Sequence, residues 1–402
     1  MPEPLLPTRP IGLAAPLAYV GDDEQLHVVG PGAATTRPVT FPVAAGRLWG
    51  GGAPGASTWP VWSPDQRWLA CFQSEGPAGE TPTQVAVSAV DGVEERVLLR
   101  LERTLPVHLQ WSPDGQHLAL LVQFEDVLQL WTCPLAGGRP RLIDEGAPLF
   151  FGWRGGGAQL FVHTGSPTGG PGRLGLRAVG PTGEDDPMDD VPGSFTSPHA
   201  AGRWLFYARS SAGGSELVAR EGPRGEARVL MESEGLLAFL PDATGSQVAV
   251  SAGAASGERF DGLHVIDVMT GQARKVASGP LVAFTWRPTG GLVLCRPAGG
   301  RGGLRWTRLD LGEGDAFPVE RRLALMRPTR DQLFQLRFFE QFMLSHPPIS
   351  PDGAQLVWAS YPTDPTDPRA GEPTVYVAAL EEGGSAAQAL GAGSYAVFPR
   401  AR

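Results

Sequence analysis

A four-residue pattern recurs along this chain and sets the spacing of everything between its copies. It appears as Trp62-Ser63-Pro64-Asp65, as Trp111-Ser112-Pro113-Asp114 and as Ile349-Ser350-Pro351-Asp352, and each copy precedes a short apolar run. A repeat with a period of about 20 to 50 residues indicates an architecture built from stacked copies of one small unit. The repeat therefore constrains the fold before any residue is considered for its chemistry.

Weaker copies of the pattern fill the gaps between the three clear ones. With the residue before the Ser position as landmark, the copies fall at Trp62, Trp111, Trp153, Thr196, Phe239, Trp286, Ile349 and Phe398. Successive landmarks are 42 to 49 residues apart, except for a step of 63 residues between Trp286 and Ile349. That long step indicates an insertion into an otherwise regular repeat.

Each repeat predicts four short strands. In the first repeat, one strand ends at Trp62, and apolar runs follow at 68–72, 84–90 and 96–101. Pro and Asp after the first strand are turn residues, and the 54 Gly and 39 Pro of the chain fit many tight turns. A four-stranded meander cannot bury both faces alone, so successive sheets must stack around an axis. The sequence therefore predicts an all-β protein, a β-propeller.

The chain ends predict how the ring closes. After the landmark Phe398 there is no chain left for a full sheet, whereas the N-terminal runs 17–20, 25–29 and 37–43 resemble the missing strands. We expect residues 1–402 to form a single eight-bladed β-propeller, closed by a composite blade formed from residues 14–45 and 392–399. Seven blades are the alternative, if the weak repeats around Thr196 and Phe239 are misassigned.

The Ser-Pro-Asp-Gly turn followed by two residues and an apolar strand resembles the repeats of the TolB-type, WD40-like β-propeller family. The resemblance extends over essentially the whole chain and implies the fold, but it says little about function. Relatives include periplasmic interaction proteins and the propeller parts of prolyl-oligopeptidase-like and dipeptidyl-peptidase-like enzymes. We expect no export signal, because residues 1–7 lack a basic segment followed by an apolar run, and the sequence lacks the Gly-x-Ser-x-Gly elbow that carries the nucleophile of those peptidases.

The insertion predicts an amphipathic helix near residues 329–345, within a helical insertion spanning 327–347. Thr329 and Gln332 form a capping-box pattern, and Pro347 stops the helix. On a helical wheel, Phe334, Phe338 and Phe342 share one side, and Leu336, Phe339 and Met343 share another. Two apolar sides need two partners. Either the second side packs under neighbouring loops, or it contacts another protein or a second copy of this chain.

Composition excludes some partners and suggests a compartment. The net charge is −9 and basic residues are not clustered, which argues against nucleic acid or an anionic membrane surface as the main partner. No apolar segment approaches the length of a membrane span. Cys71, Cys133 and Cys295 lie in separate repeats and resemble buried free thiols of a reducing compartment. We therefore expect a cytoplasmic protein without a membrane span.

The sequence contains no clear catalytic or metal-binding constellation. Its seven histidines are scattered, and His346, after the predicted helix, fits a partner of the helix C-terminal dipole. The acidic segment 184–190 lacks the ligand alternation of a calcium loop and is typical of a solvated loop. No catalytic residue, metal ligand or cofactor is predicted, and a cation bound in the central channel is left open.

These observations favour a non-catalytic protein–protein interaction scaffold or regulatory propeller that presents its loops and its inserted helix to a partner. The predicted partner-binding residues are Phe334, Phe338, Phe339, Phe342 and Met343. The first alternative is an enzyme, or a binder of a small molecule or metal, that uses the central channel. A further alternative is a regulatory subunit that works beside a separately encoded enzyme.

Overall fold

The computed structural model of the protein describes residues 12–31, 39–40, 56–74, 82–91, 93–166, 170–193, 195–253, 260–299, 303–312, 317–363, 370–381 and 387–401. In these residues the chain forms thirty strands and two short α-helices. None of these helices is long and apolar enough to cross a membrane.

Five separate antiparallel sheets of four strands each follow the first three strands. Those first strands are β1 (Leu17–Gly21), β2 (Leu26–Val29) and β3 (Val39–Thr40). Sheet I contains β4 (Ala56–Trp62), β5 (Trp68–Ser74), β6 (Thr83–Ala89) and β7 (Glu95–Leu101). Sheet II contains β8 (Thr104–Trp111), β9 (His117–Phe124), β10 (Val127–Pro134) and β11 (Arg141–Gly146).

The next three sheets repeat the same up-and-down order. Sheet III contains β12 (Leu149–Arg154), β13 (Gln159–Thr164), β14 (Arg173–Ala178) and β15 (Asp186–Met188). Sheet IV contains β16 (His199–Ala201), β17 (Trp204–Ser211), β18 (Gly214–Glu221) and β19 (Ala227–Ser233). Sheet V contains β20 (Leu237–Pro241), β21 (Gln247–Gly253), β22 (Phe260–Asp267) and β23 (Ala273–Leu281).

The rest of the chain and its beginning share one ten-stranded sheet. The later elements are β24 (Ala283–Trp286), β25 (Leu292–Pro297), β26 (Leu304–Asp310), β27 (Val319–Pro328), α1 (Arg330–Arg337), α2 (Phe339–Phe342), β28 (Gln355–Tyr361), β29 (Thr374–Ala379) and β30 (Gln388–Val397). Strands β24 to β30 are followed in this sheet by β1, β2 and β3. The sheet is continuous because β27 and β30 are long enough to pair on both sides.

The repeated Ser-Pro-Asp turn is held by its own side chains. The Ser63 hydroxyl donates to Asp65 Oδ1 over 2.6 Å and accepts from the Trp68 backbone N–H over 2.9 Å. The copies at Ser112 and Ser350 make the same two bonds. Ser and Asp of the motif therefore fix the hairpin between the first two strands, as their turn chemistry predicts.

The structure corrects the position of two weak repeats. In sheet V, Asp242 takes the place that Ser63 has in sheet I, because its N–H donates to the Gln247 carbonyl across the turn. The landmark is thus Pro241, two residues after the predicted Phe239. In sheet IV the first hairpin turns after Ala201, later than the predicted Thr196. The substituted residues there carry no Ser-Pro-Asp signal, so sequence spacing alone placed these turns too early.

Neighbouring sheets are joined through their first strands. Strand β4 contacts β8, β12 contacts β16, and β16 contacts β20, while β30 contacts β4. Landmark tryptophans join these strands, since the Trp111 indole N–H donates to the Val61 carbonyl over 3.2 Å and Trp153 donates to Gln110 over 3.3 Å. These contacts and hydrogen bonds link the first strands of neighbouring sheets.

The two ends of the chain meet in the ten-stranded sheet. Strand β1 pairs with β30, with Ala18 opposite Val397 and Tyr19 opposite Ala396. Of the predicted N-terminal strand at 37–43, β3 covers residues 39 and 40, and the rest lies outside the described residues. The predictions of a predominantly β protein and of repeated four-stranded sheets are confirmed. The division of the chain into one domain with a composite blade stays a prediction.

Candidate functional site

The inserted segment interrupts a strand and enters the centre of the molecule. Pro328 pairs with Ser360 and Ile349 pairs with Leu356, so the 20 residues 329–348 lie where three would continue the strand. The Thr329 side chain caps the helix by accepting from the Gln332 N–H, as the capping pattern predicts. Phe338 has non-helical angles, φ −113° and ψ 36°, and divides the predicted single helix into α1 and α2.

Polar side chains of the inserted segment bond to the backbone of surrounding strands. The Gln341 amide accepts from the Phe151 N–H over 3.0 Å and donates to the Phe151 carbonyl over 2.8 Å. Glu340 accepts from the Phe239 N–H over 2.8 Å. Gln332 accepts from the Ala359 N–H over 3.1 Å. These bonds supply partners to main-chain groups at strand edges that would otherwise be buried and unpaired.

The two apolar sides of the inserted segment join two different cores, as the sequence predicted. Phe342, with half-buried Phe334 and Phe338, packs into the core around sheet I and β8. Leu336, Phe339 and Met343 belong to the core that contains Phe284 and Trp306. The ring centroids of Phe284 and Phe339 are 4.7 Å apart. The segment thus has its two burial partners within its own chain.

This placement corrects the predicted partner-binding role of the helix. Phe339, Phe342 and Met343 are buried, with at most 4% of their surface exposed, so no partner can reach them in this conformation. Phe334 and Phe338 are half-buried, and a contact of these two residues with another chain stays a prediction. The sequence showed that two surfaces must cover the helix, but only the fold shows that both belong to the same molecule.

A cluster of polar side chains lies at the C-terminal end of α2. The Ser345 hydroxyl is 2.8 Å from His346 Nδ1 and 3.3 Å from His108 Nε2, and also 3.3 Å from the Phe342 carbonyl. Ser345 is 8% exposed, and both histidines are completely buried. We call Ser345, His346 and His108 the central cluster. A hydroxyl between two imidazoles is an arrangement that can transfer a proton to nitrogen and react through oxygen.

Burial keeps both imidazoles of the central cluster neutral. Desolvation lowers the pKa of His346 to about 3, against a smaller opposing effect of the nearby Trp59 backbone. Desolvation, with a smaller effect of His346, also lowers the pKa of His108 well below its ordinary value. A neutral His346 cannot stabilise a helix dipole as a cation, so that prediction is wrong, and the residue serves instead as an uncharged hydrogen-bond partner.

Aromatic rings enclose the central cluster. Trp59 contacts Phe342 at 4.8 Å, Tyr395 at 5.1 Å and Phe334 at 5.5 Å between ring centroids, and its indole lies edge-on to His346 at 6.2 Å. The rings of Trp59, Phe342 and Tyr395 thus surround His346 with apolar surface, and hydrogen bonds are stronger in such low-dielectric surroundings.

Sequence reasoning missed the central cluster. Ser345 and His346 are adjacent in the chain, but His108 lies 237 residues before Ser345 and approaches only through the fold. The available signal was a Ser-His pair at the end of the inserted segment. It was interpreted as a helix terminus because no base or acid stands at a recognisable spacing.

Other candidates have structural explanations. Asp190, in the acidic segment 184–190, is 3.0 Å from Arg209, 3.1 Å from Arg220 and 2.8 Å from the Tyr207 hydroxyl. Within the described ranges, no group of three His, Cys, Asp or Glu side chains is arranged to hold a metal ion.

Comparison with known proteins identifies the fold. The sequence matches no protein-family model and no curated protein. Among solved structures, TolB from Acinetobacter baumannii is 15% identical, with 67% of this chain and 65% of TolB covered and a TM-score of 0.38. A structure of prolyl endopeptidases is 11% identical, with 86% of this chain and 50% of that chain covered and a TM-score of 0.55.

A third similar structure is the β-propeller domain of the Trilobed protease from Pyrococcus furiosus. It is 12% identical, with 74% of this chain and 86% of that domain covered and a TM-score of 0.46. The chain spans about half the length of the prolyl endopeptidase and about two thirds of TolB.

These findings correct the main functional prediction. The chain was expected to be a non-catalytic scaffold that presents its helix, but the helix fills the centre, and the solved neighbours include peptidases. The burial of the helix overturns its expected presentation to a partner, so the alternative, an enzyme or small-molecule binder that uses the centre, fits better. The missing Gly-x-Ser-x-Gly elbow excludes one kind of nucleophile and does not exclude an enzyme. At these identities the likeness establishes the fold alone: the chain resembles TolB-type and other β-propellers in structure.

Proposed function

We propose that this protein is a propeller enzyme of the hydrolase type, with the Ser345 hydroxyl as nucleophile. The observation that carries the proposal is the position of the hydroxyl oxygen, within hydrogen-bond distance of His346 Nδ1 and His108 Nε2. A nucleophile next to a neutral base is the minimum arrangement for covalent catalysis at serine. The substrate class is a small uncharged ester or amide, because the site is buried and apolar around its polar atoms.

The reaction follows from these contacts. His346 Nδ1, the nearer nitrogen, takes the hydroxyl proton while Ser345 Oγ bonds to the carbonyl carbon of the substrate. The imidazolium then gives this proton to the leaving alcohol or amine, and an acyl-serine remains. Water, deprotonated by the same imidazole, attacks the acyl-serine and regenerates the hydroxyl. His108, in the tautomer that carries its proton on Nε2, donates to the Ser345 oxygen and orients the hydroxyl.

The finer architecture belongs to the same proposal. Eight groups of strands surround the centre, with the second halves of β27 and β30 as the first strands of the last two groups. The pairing of β30 with β1 and the contact of β30 with β4 support a ring closed by a composite blade. The inserted segment crosses this ring from Ala359 to Phe151 and Phe239 and carries Ser345 to its middle.

A cytoplasmic location is proposed from the cysteines. Cys71, Cys133 and Cys295 are all free and buried. Burial raises the pKa of Cys71 and Cys133 to about 12, which keeps these thiols protonated and unreactive. Thiols that are not paired fit a reducing compartment.

A serine-reactive fluorophosphonate with a short alkyl chain tests the proposed function. The native protein should be labelled at Ser345, as identified by peptide mass spectrometry, and Ser345→Ala should not be labelled. His346→Gln should be labelled about 100-fold more slowly, since general bases typically contribute at least that factor. Ser251→Ala is the matched control, because Ser251 is also buried and hydrogen-bonded but lies in sheet V.

The proposal is contradicted if the native protein is not labelled, or if Ser345→Ala is labelled at the native rate. Circular dichroism and urea unfolding of each variant establish that a lost label does not reflect a lost fold.

A further inference from the structure

One side of α1 is exposed and carries both basic and apolar side chains. Arg330, Leu333 and Arg337 follow one another at intervals of three and four residues, which places them on the same face of the helix. All three are exposed, Leu333 by 49% of its surface. The half-buried rings of Phe334 and Phe338 adjoin them in the sequence. We call Arg330, Leu333 and Arg337 the basic helix face.

The two guanidinium groups of the basic helix face have no carboxylate partner. In the part of the chain that the structure describes, neither Arg330 nor Arg337 makes an ion pair, and Arg337 lies instead over the ring of Phe338 at 5.8 Å. Asp331, next to Arg330 in the chain, is half-buried, and burial raises the pKa of its carboxyl. The protein as a whole carries a net charge of −9. The basic helix face therefore has the opposite sign to the net charge and attracts acidic surfaces.

A surface of the matching kind lies around β15. Glu184 precedes this three-residue strand and Asp189 follows it, and both are exposed and make no ion pair among the described residues. The other carboxylates of the acidic segment are paired with arginines. Val191 and Phe195 are 45% and 63% exposed just after the strand. We call Glu184, Asp189, Val191 and Phe195 the acidic rim.

Phe195 has a backbone conformation that is uncommon for a bulky residue. Its φ is +53°, in the left-handed region, although most of its ring surface faces solvent. Strained conformations persist where the surrounding structure fixes them, and they cluster at functional positions. The packing of the chain's own core does not account for a strained residue whose ring is exposed. Exposed aromatic rings are, by contrast, frequent anchors of protein interfaces.

We propose that a second copy of this chain docks on the basic helix face through its acidic rim. Charge complementarity selects this occupant, because the cations of the first surface and two carboxylates of the second have no ion-pair partner in the described part of the chain. Leu333 of one protomer and Phe195 of its partner are then covered in the same contact, with the charges around them. The inference goes beyond the proposed function and does not depend on the chemistry of Ser345.

Sedimentation velocity of the purified native protein measures the association directly. We expect the mean mass to rise with protein concentration at about 20 mM salt. Raising the salt to about 500 mM shortens the screening length to about 4 Å and should weaken the association at least about tenfold. Leu333→Ser should also weaken it about tenfold, because the apolar part of the contact is lost.

Two charge-reversed variants identify the surfaces. Arg330→Glu combined with Arg337→Glu should be monomeric, and so should Glu184→Arg combined with Asp189→Arg. A mixture of the two variants should associate again, because each variant then offers the other a surface of opposite charge. All four positions are exposed, so the variants should fold, and circular dichroism with urea unfolding checks this.

The matched control is Arg67→Glu combined with Arg139→Glu, which changes the net charge by the same amount at exposed positions outside both surfaces and should associate like the native protein. Native protein that stays monomeric at low salt overturns the inference. So does association that persists in both charge-reversed variants, or a mixture of the two that stays monomeric. Labelling of Ser345 by the fluorophosphonate is a separate measurement, so either proposal can fail while the other stands.

Discussion

The indole N–H of Trp62, in the first four-stranded sheet, donates to the carbonyl oxygen of Val397, 335 residues later, over 3.3 Å. It is the same bond by which Trp111 reaches Val61 and Trp153 reaches Gln110. The device that joins consecutive sheets therefore also joins the last strand to the first sheet. The hydrogen bond that elsewhere joins neighbouring sheets here joins β4, near the start of the chain, to β30, near its end.

Trp62→Phe should destabilise the protein by about 1 kcal/mol, because it removes the buried hydrogen bond from the indole N–H to the Val397 carbonyl. Urea unfolding measures the loss. Trp111→Phe removes the equivalent bond between the first two four-stranded sheets and is the matched control. Only Trp62→Phe should also speed hydrogen exchange in β1 and β30. Equal exchange of these strands in both variants would contradict a special role of Trp62 in joining the chain ends.

Gln341→Ala should cost about 2 to 3 kcal/mol, since both the N–H and the carbonyl of buried Phe151 lose their partner. The free energy of unfolding in urea is the measurement. Gln123→Ala, at an exposed position of β9, is the control and should change stability by less than about 0.5 kcal/mol. Similar values for the two variants would show that the inserted segment is not held by this amide.

Phe339→Ala should cost about 3 to 5 kcal/mol, because it opens a cavity next to Phe284 in a fully packed core. Phe338→Ala changes the half-buried neighbour at the break between α1 and α2 and should cost clearly less. Thermal or urea unfolding of the two variants gives the difference. The reverse order would contradict the closer packing of Phe339 than of Phe338.

Glu340→Gln should stabilise the protein at pH 8 by about 1 kcal/mol. Burial raises the pKa of Glu340 well above its ordinary value, so the folded state holds this proton where the unfolded state has released it. The contribution of the protonated carboxyl to the free energy of unfolding is complete below the pKa of the unfolded state. It is lost as the pH rises toward the higher pKa of the folded state. The amide keeps an oxygen for the Phe239 N–H without this loss. Unfolding curves at pH 5 and pH 8 should therefore diverge between variant and native protein only at the higher pH.

Acid should weaken the fold through its buried histidines. Desolvation lowers the pKa of His199 and His346 to about 3, so between about pH 6.5 and 3 the unfolded state binds protons that the folded state cannot. Stability is complete above pH 6.5 and falls on acidification, by about 2 kcal/mol per histidine at pH 5. His199→Gln should reduce the loss of unfolding free energy on acidification by the contribution of one histidine. An unchanged slope of unfolding free energy against pH would contradict the prediction.

The sequence predicted the parts of this fold that depend on local chemistry. The Ser63 and Asp65 turn bonds, the Thr329 cap and the two apolar sides of the inserted helix all follow from residues close together in the chain. The weak repeats were misplaced by two to several residues because Pro241 and Ala201 carry no motif. Local patterns do not predict which residues far apart in the chain come into contact. His108 and Ser345, like Gln341 and Phe151, meet only because the sheets pack around the inserted segment.

The interrupted strand has a consequence for how this centre can change. Pro328 and Ile349 pair with residues only four positions apart on β28, so the segment leaves the strand and rejoins it almost where it left. The strand order of the ten-stranded sheet, in which β28 follows β27, does not depend on this segment. What occupies the middle can thus lengthen, shorten or be exchanged by changes between two neighbouring points of one strand. A scaffold of repeated sheets can in this way acquire new interior chemistry by a single insertion, while its strand order stays the same.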